Sequence, residues 1–244
     1  MPGISAREEI LGKISAALQS DAKSEASSPK LKPGHGAGVG ASSDDARAIE
    51  IRGRCERERA VLLAQFESEL LAIGVRVHQA ASTNSAAEYI ERIALERKAK
   101  TVVAADAEVV ERIGLQKRLG SCGIGYVTEA SDADLRSIAI DAGIGVSGVD
   151  YALADTGTLV LLARKGQPRS ISLVPPVHIA IVQPDQVVRG LDDLFALLRS
   201  EKGVNDLGSA VTFITGASRT ADIELTLVVG VHGPQELHVV IIPN

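Results

Sequence analysis

The feature that most constrains this chain is the alternation of short apolar runs with amphipathic helical patterns between Val75 and Ile140. Strands are predicted at 75–78, 101–105 and 123–127, and helices at 85–98, 107–119 and 132–140. Strands and helices that alternate at this spacing are typical of βαβ units, which build a parallel sheet with right-handed crossovers. The pattern therefore predicts an α/β fold.

The alternation stops near Asp141, where apolar runs follow one another with Gly and Pro between them. TLVLLA at 158–163 and HIAIV at 178–182 are predicted strands, and the turns at 164–169 and 175–176 can join neighbouring strands. Because no long helix fits between these runs, we expect an antiparallel or mixed extension of the sheet. One further helix is predicted at 187–200.

The segments before the first strand divide into three parts. Residues 1–20 have an apolar stripe at helical spacing and predict an N-terminal helix. Residues 21–43 are rich in Ser, Gly, Pro and Lys and predict a flexible linker. A single long helix is predicted from Asp44 to Ala72, with Gly74 placed to end it. The α/β domain is accordingly expected over 44–244.

Composition excludes several classes of partner and site. The net charge of −5 argues against nucleic acid or an anionic membrane as the main partner, and no run approaches a transmembrane span. Aromatic residues make up 2% of the chain, so the core is expected to consist of Ala, Val, Leu and Ile. Cys55 and Cys122 stand alone without metal-ligand spacing, and no export signal is seen, so a cytoplasmic protein is expected.

Polar, reactive residues interrupt apolar stretches in the run from Val211 to Ile242, which predicts a ligand site within 216–238. Gly216 allows a turn, and Arg219 offers a fork suited to a carboxylate or phosphate. The other candidates in this part of the chain are Ser218, Thr220, Asp222, Glu224 and His232. Ser218 and Thr220 can equally cap a short helix whose first turn holds both acids, and Arg219 can equally form a structural ion pair.

A second candidate is the turn Thr156-Gly157-Thr158, which follows Asp155 and precedes a predicted strand. Hydroxyls and backbone N–H groups in such a turn can bind an anion. The alternative is a plain turn in which the threonines bond to their own backbone.

Histidine placement leaves two interpretations open. His178, His232 and His238 lie in the β-rich C-terminal half, where with Asp222 and Glu224 they can ligate a divalent metal. Their spacing matches no metal signature, and His178 and His238 lie in apolar strands where structural histidines are common. We therefore assign no metal site. No dinucleotide fingerprint and no phosphate-binding P-loop occurs in the sequence.

Three stretches resemble the lactate-utilisation LUD-domain family, of the lactate utilisation protein C type. They are ADTGTLVL at 154–161, PPVHIAIV at 175–182 and GASRTADIELTLVVGVHGPQELHVVII at 216–242. The resemblance covers roughly residues 45–244. It implies a three-layer α/β/α fold with a mostly parallel then mixed sheet, like that of sugar-phosphate isomerases and CoA transferases.

The resemblance also implies a function. Members of this bacterial family work with two iron–sulphur proteins in oxidising L-lactate to pyruvate, so the clusters are expected in partner proteins and no cofactor in this chain. A non-redox subunit acting in assembly or in binding a small anionic substrate is therefore expected, and no catalytic residue is carried over. The alternative is a stand-alone enzyme acting on a phosphorylated or CoA-linked molecule. The sequence leaves open whether the chain forms oligomers.

Overall fold

A computed structural model describes residues 43–105, 108–128, 132–164, 167–202, 210–221 and 227–243. The predicted N-terminal helix over 1–20 and nearly all of the predicted linker over 21–43 lie outside these residues.

Helices and strands alternate along the first half of the described chain, as the sequence predicts. The helices are α1 Ser43–Arg57, α2 Arg59–Ala72, α3 Thr83–Glu96, α4 Glu108–Ile113, α5 Leu115–Ser121, α6 Asp132–Asp141, α7 Ser170–Leu173 and α8 Leu191–Lys202. The strands in this half are β1 Arg76–Gln79, β2 Thr101–Ala104, β3 Gly125–Val127 and β4 Ile144–Gly148. The later strands are β5 Tyr151–Leu153, β6 Thr158–Leu162, β7 Val177–Val182, β8 Val187–Val188, β9 Val211–Ile214, β10 Arg219–Ala221, β11 Leu227–Val229 and β12 Glu236–Ile241.

The main sheet is parallel throughout, with the strand order β1-β12-β7-β4-β2-β3. The last strand of the chain, β12, lies between β1 and β7 and pairs with both. Five of its six residues are buried, as expected for a central strand of a parallel sheet. All strands therefore begin at one edge of the sheet, the amino edge, and end at the opposite one, the carboxyl edge.

Both faces of the main sheet are covered. One face packs against α3, α4 and α5, through residues such as Ile90 and Leu119. The other face packs against α2 through Phe66 and Leu70, and against α6 and α7 near Ile171. Because crossover helices lie on the faces of a parallel sheet and its strands carry apolar side chains on both faces, this three-layer α/β/α arrangement is the expected one. The predicted fold class is confirmed.

Four of the later strands, β5, β6, β8 and β9, form a second, mixed sheet instead of extending the first. Its strand order is β8-β5-β6-β9, with β5, β6 and β9 antiparallel and β8 parallel to β5. One face of this sheet packs against α2 and shares a hydrophobic cluster with it. The other face is covered by α1 and α8. The two strands TLVLLA and HIAIV therefore lie in different sheets, and the turns between them do not join sheet neighbours.

Two predicted helices are wrong as single helices. The helix over 44–72 divides at Glu58, because α1 packs with α8 on the mixed sheet whereas α2 packs on the main sheet. The helix over 107–119 divides at Gly114, whose φ of +69° belongs to the left-handed region and ends α4 before α5 begins.

The predicted helix over 187–200 begins later than expected. Val187 and Val188 form β8 beside β5, and α8 starts at Leu191. Two adjacent β-branched residues favour the pleated strand, so tertiary pairing decides this boundary.

Candidate functional site

The predicted site residues that the structure describes lie near one another, at the amino edge of the main sheet. Arg219 Nη2 donates a hydrogen bond of 2.7 Å to the carbonyl oxygen of Ile73, just after α2. Gly216, with φ +92°, lies against Ile73. The guanidinium thus satisfies a carbonyl at a helix C-terminus, where backbone acceptors are otherwise left unpaired. A ligand role for Arg219 stays a prediction.

The predicted Thr156-Gly157-Thr158 turn also packs on α2. The hydroxyl oxygens of Thr156 and Thr158 are 2.8 Å apart, and Thr158 lies 2.8 Å from the hydroxyl of Thr215. A Cβ at Gly157 would lie 2.9 Å from the backbone nitrogen of Leu70, so the turn touches the helix backbone itself. The structure therefore brings this turn beside the 215–219 loop, and the threonine hydroxyls bond to one another across the two loops.

Ser218 is tied through its backbone to the loop that contains His232. The Ser218 N–H donates to the carbonyl of Pro234 at 2.9 Å, and the Gly230 N–H donates to the carbonyl of Ser218 at 2.9 Å. His232 itself is exposed. These contacts bring Ser218 and His232 into one loop cluster at the amino edge.

A strand, β10, begins directly after Ser218, where the sequence predicts a helix cap. Thr220 lies in this strand, which pairs antiparallel with β11. Asp222 and Glu224 lie outside the described residues, so their predicted place in a helical turn stays a prediction.

Two of the three C-terminal histidines are buried structural residues. His238 Nδ1 lies 2.8 Å from the hydroxyl of Tyr89, and its Nε2 lies 3.3 Å from the carboxylate of Glu236. His178 Nε2 lies 2.9 Å from Ser147 Oγ. Within the described ranges, no group of three or more His, Cys, Asp or Glu side chains is placed to hold a metal ion.

Burial controls the charge of both histidines. Burial, with a smaller contribution from neighbouring His238, lowers the pKa of His178 to about 4. Burial also lowers the pKa of His238, and the hydrogen bond to Glu236 opposes that effect. Both rings are therefore neutral at physiological pH, as expected for imidazoles inside a core.

A cavity of about 270 Å³ lies at the opposite, carboxyl edge of the main sheet. Ligands in open α/β sheets bind outside the carboxyl ends of the strands, where the loops diverge. The cavity is lined by Gly148, Val149 and Asp150 at the end of β4, Gln183 and Gln186 after β7, Glu108 and Val109 of α4, and Arg164 and Gln167 after β6. We refer to it as the carboxyl-edge cavity.

An ion pair between Asp150 and Arg164 is the main electrostatic feature of this cavity. The Asp150 carboxylate also accepts a hydrogen bond of 2.7 Å from the backbone N–H of Leu162. The Asp150 side chain is 11% exposed, whereas the Arg164 side chain is 41% exposed. The guanidinium can therefore reach a bound anion while Asp150 holds it in place.

Gln186 fixes the floor of the cavity. Its Nε2 donates to the carbonyl of Val149 at 2.7 Å, and its Oε1 accepts from the backbone N–H of Gln183 at 2.8 Å. These bonds join the ends of β4 and β7, so the cavity is built on a rigid pair of strand ends.

The sequence interpretation missed Asp150, Arg164, Gln183 and Gln186. A signal was present, because VSGVD and AIVQPDQ each place polar residues directly after a buried parallel strand. Applying the carboxyl-edge rule to those strands would have identified the cavity.

The LUD domain model matches residues 63–242, from within α2 to the end of the last strand. The chain belongs to the LUD-domain family. One curated relative, the lactate utilization protein C of Anoxybacillus flavithermus, is 33% identical over 195 residues, which cover 77% of this chain and 86% of that protein. The protein of the same name from Halalkalibacterium halodurans is 34% identical over 146 residues, 59% of this chain and 64% of that protein.

A solved structure of a DUF162 family protein from Deinococcus radiodurans shares the fold of this LUD-domain chain. The TM-score is 0.52 at 22% identity, and the superposition covers 75% of this chain and 98% of that chain. At this identity the likeness concerns the fold alone. α1 and the start of α2 precede the LUD-domain match. Within the described ranges, no helix is long and apolar enough to cross a membrane.

Proposed function

We propose that this chain acts in bacterial lactate utilisation, as a non-redox subunit in the oxidation of L-lactate to pyruvate. The observation that carries the proposal is the match to a relative named lactate utilization protein C over 86% of that relative's length. The second relative, matched over 64% of its length, has the same name.

The proposed division of labour rests on the family resemblance and agrees with the thiols of the chain. Cys55 and Cys122 are its two cysteines, and a cluster held by thiolates alone requires four. In this proposal, the iron–sulphur clusters that the family resemblance implies belong to partner proteins, and this subunit contributes assembly or substrate binding.

The carboxyl-edge cavity is the best-placed site for such a substrate. A 2-hydroxy acid needs a cation for its carboxylate and an acceptor for its hydroxyl. Arg164 supplies the first, and the carboxylate of Asp150 supplies the second from within the same ion pair. Because the ion pair is already formed, the guanidinium is oriented before the ligand arrives, which reduces the entropic cost of binding.

The test of the partner assignment is a pull-down of the tagged chain, expressed at its native level in the encoding bacterium grown on L-lactate. We expect iron–sulphur proteins to copurify, identified by their visible absorbance and by mass spectrometry, and deletion of the chain to stop growth on L-lactate but not on glucose. Normal growth of the deletion strain on L-lactate would overturn the proposed role.

The test of the binding assignment is calorimetric titration of the purified chain with L-lactate and with propionate, which lacks the hydroxyl. L-lactate should bind more tightly, and Arg164→Gln should weaken it about tenfold or more, as expected for loss of a charge-assisted pair. Arg189→Gln removes an exposed arginine that pairs with Glu58 away from the cavity and serves as the control. Unchanged affinity in Arg164→Gln would rule out this cavity.

A further inference from the structure

The carboxyl-edge cavity is wider than L-lactate. It follows the ends of three adjacent strands of the main sheet, β7, β4 and β2, from Gln183 just after β7 to Glu108 on the helix that follows β2. Neighbouring strands lie about 4.8 Å apart, so three strand ends span roughly 10 Å. A three-carbon acid bound at the end of β4 therefore covers only part of this width.

The volume of the cavity leads to the same conclusion. Its 270 Å³ corresponds to roughly nine water molecules at the volume that each occupies in the liquid. L-lactate has six non-hydrogen atoms, which are covalently bonded and therefore closer together than six separate waters. It fills well under two thirds of the space, and a ligand with roughly twice as many bonded atoms fits.

The charges of the cavity oppose a second anionic group on the ligand. Among the lining residues that the structure describes, Glu108 and Asp150 carry carboxylates and Arg164 carries the positive charge. Because the carboxylate of a 2-hydroxy acid pairs with Arg164, a phosphate or a second carboxylate would face Glu108 without a further cation from the described lining. Like charges placed together in a binding site are costly, so the lining favours a monoanion.

The part of the cavity beyond the Asp150–Arg164 pair favours hydroxyl groups on the ligand. Glu108 is exposed at the first residue of α4, and its carboxylate accepts several hydrogen bonds but donates none. On the other side of the cavity, the amide of Gln186 is already bonded to the backbone. A ligand chain that runs towards Glu108 can donate hydroxyl hydrogens to it, whereas an apolar chain would desolvate the carboxylate without replacing its hydrogen bonds.

We propose that the carboxyl-edge cavity binds monoanionic sugar acids, which are 2-hydroxy acids with a chain of hydroxylated carbons, more tightly than L-lactate. The carboxylate pairs with Arg164, the 2-hydroxyl donates to Asp150, and the hydroxyls of the chain donate to Glu108. This inference rests on the binding mode proposed above for L-lactate, which places the same two groups at Arg164 and Asp150. L-lactate is the short member of this ligand class.

The experiment is calorimetric titration of the full chain with four acids that share the configuration of L-lactate at carbon 2. They are L-lactate itself, D-mannonate, (S)-2-hydroxyhexanoate and L-malate. D-mannonate has a hydroxyl on every carbon of its chain, (S)-2-hydroxyhexanoate has the same number of carbons with an apolar chain, and L-malate ends in a second carboxylate. D-mannonate should bind at least tenfold more tightly than L-lactate, as expected for added charge-assisted hydrogen bonds. Binding of (S)-2-hydroxyhexanoate or L-malate as tight as that of D-mannonate would overturn the proposal.

Two matched variants of α4 test the position of the hydroxylated chain. Glu108→Ala should weaken D-mannonate at least fivefold and leave the affinity for L-lactate unchanged. Glu111→Ala removes the next exposed carboxylate of the same helix, which does not line the cavity, and should change neither affinity. Equal affinity of D-mannonate for the native chain and for Glu108→Ala would contradict the proposed contact.

The failure of this inference can be told apart from the failure of the lactate site. If L-lactate binds through Arg164 and D-mannonate binds no more tightly, the sugar-acid inference is overturned and the lactate site stands. If D-mannonate binds through Arg164 and Glu108 but L-lactate does not bind, the sugar-acid inference stands and the proposed binding of lactate falls. Affinities for both acids that Arg164→Gln leaves unchanged would overturn both.

Discussion

Nη2 of Arg219, in the motif that marks the family resemblance, donates to the carbonyl oxygen of Ile73 at 2.7 Å across 146 positions of sequence. This bond ties β10 to the end of α2. It gives the residue a structural task that the sequence pattern alone does not show.

The first prediction follows from that bond. Arg219→Ala should lower the free energy of unfolding by about 1 kcal/mol, because one exposed but charge-assisted hydrogen bond to a helix C-terminus is lost. Urea unfolding followed by circular dichroism measures it. Arg169→Ala, which removes an exposed arginine elsewhere, should change the midpoint little, and equal effects of the two substitutions would contradict the bond's contribution.

Gly157 and Gly114 provide a matched pair of glycines with similar positive φ angles, +63° and +69°. A Cβ at Gly157 meets the backbone of Leu70 and Glu69 at 2.9 and 3.1 Å, whereas a Cβ at Gly114 meets nothing within 4 Å. Gly114→Ala should therefore lower the free energy of unfolding by about 1 kcal/mol because of backbone strain. Gly157→Ala should lower it by roughly 2 kcal/mol more because the added Cβ clashes with α2. Thermal unfolding of both variants tests this, and equal losses would refute the close approach.

The docking of α1 should depend on Asp193, whose side chain is 11% exposed and accepts both bonds from Arg54. Asp193→Asn should lower stability by about 2 kcal/mol, since it leaves a partly buried guanidinium without its charge partner. Hydrogen exchange should accelerate first in α1. Glu58→Gln breaks the exposed pair with Arg189 and is expected to change stability by roughly 0.5 kcal/mol. A larger loss of stability in Glu58→Gln than in Asp193→Asn would contradict the predicted role of the Arg54–Asp193 pair in docking α1.

Acid should destabilise the fold through His178. Its pKa falls from 6.5 to about 4 because of burial, so between these pH values the unfolded chain binds more protons than the folded one. The free energy of unfolding therefore decreases as pH falls through that window, by about 3 kcal/mol in total from this residue. At higher pH this contribution is fully present.

Unfolding free energies of the native chain and of His178→Gln, measured from pH 7 to pH 4, test the acid prediction. The slope should be shallower in the variant, which has no imidazole to protonate at that position. His232→Gln replaces an exposed histidine and serves as the control. Identical slopes for all three proteins would exclude His178 as the acid-sensitive group.

Much of the fold was predictable from the sequence because its signals are local. Buried runs such as VHIAIV and the helical stripe that includes Ile90 and Ile93 decide strand or helix within a few residues. The break at Gly114 was harder to predict from the sequence, because an isolated glycine is tolerated within many helices. The division at Glu58 arises because α1 packs on the mixed sheet and α2 packs on the main sheet, and both sheets are formed by residues far away in the sequence.

The candidate site was less predictable for a physical reason. The Thr156 turn and the Arg219 loop come together, yet they meet at the amino edge of the sheet and bond within the protein. Asp150 and Arg164 looked ordinary in sequence, because an ion pair at a strand end is visible only when the edge on which the strands finish is known.

The sequence by itself determined the alternating α/β pattern, the parallel sheet and the family, since periodicity, apolar runs and ordered motifs are properties of neighbouring residues. Tertiary structure alone decided that β12 enters between β1 and β7, that β5, β6, β8 and β9 form a separate sheet, and that a cavity opens at the carboxyl edge. These features depend on contacts between residues far apart in the chain, whose energies no local pattern records.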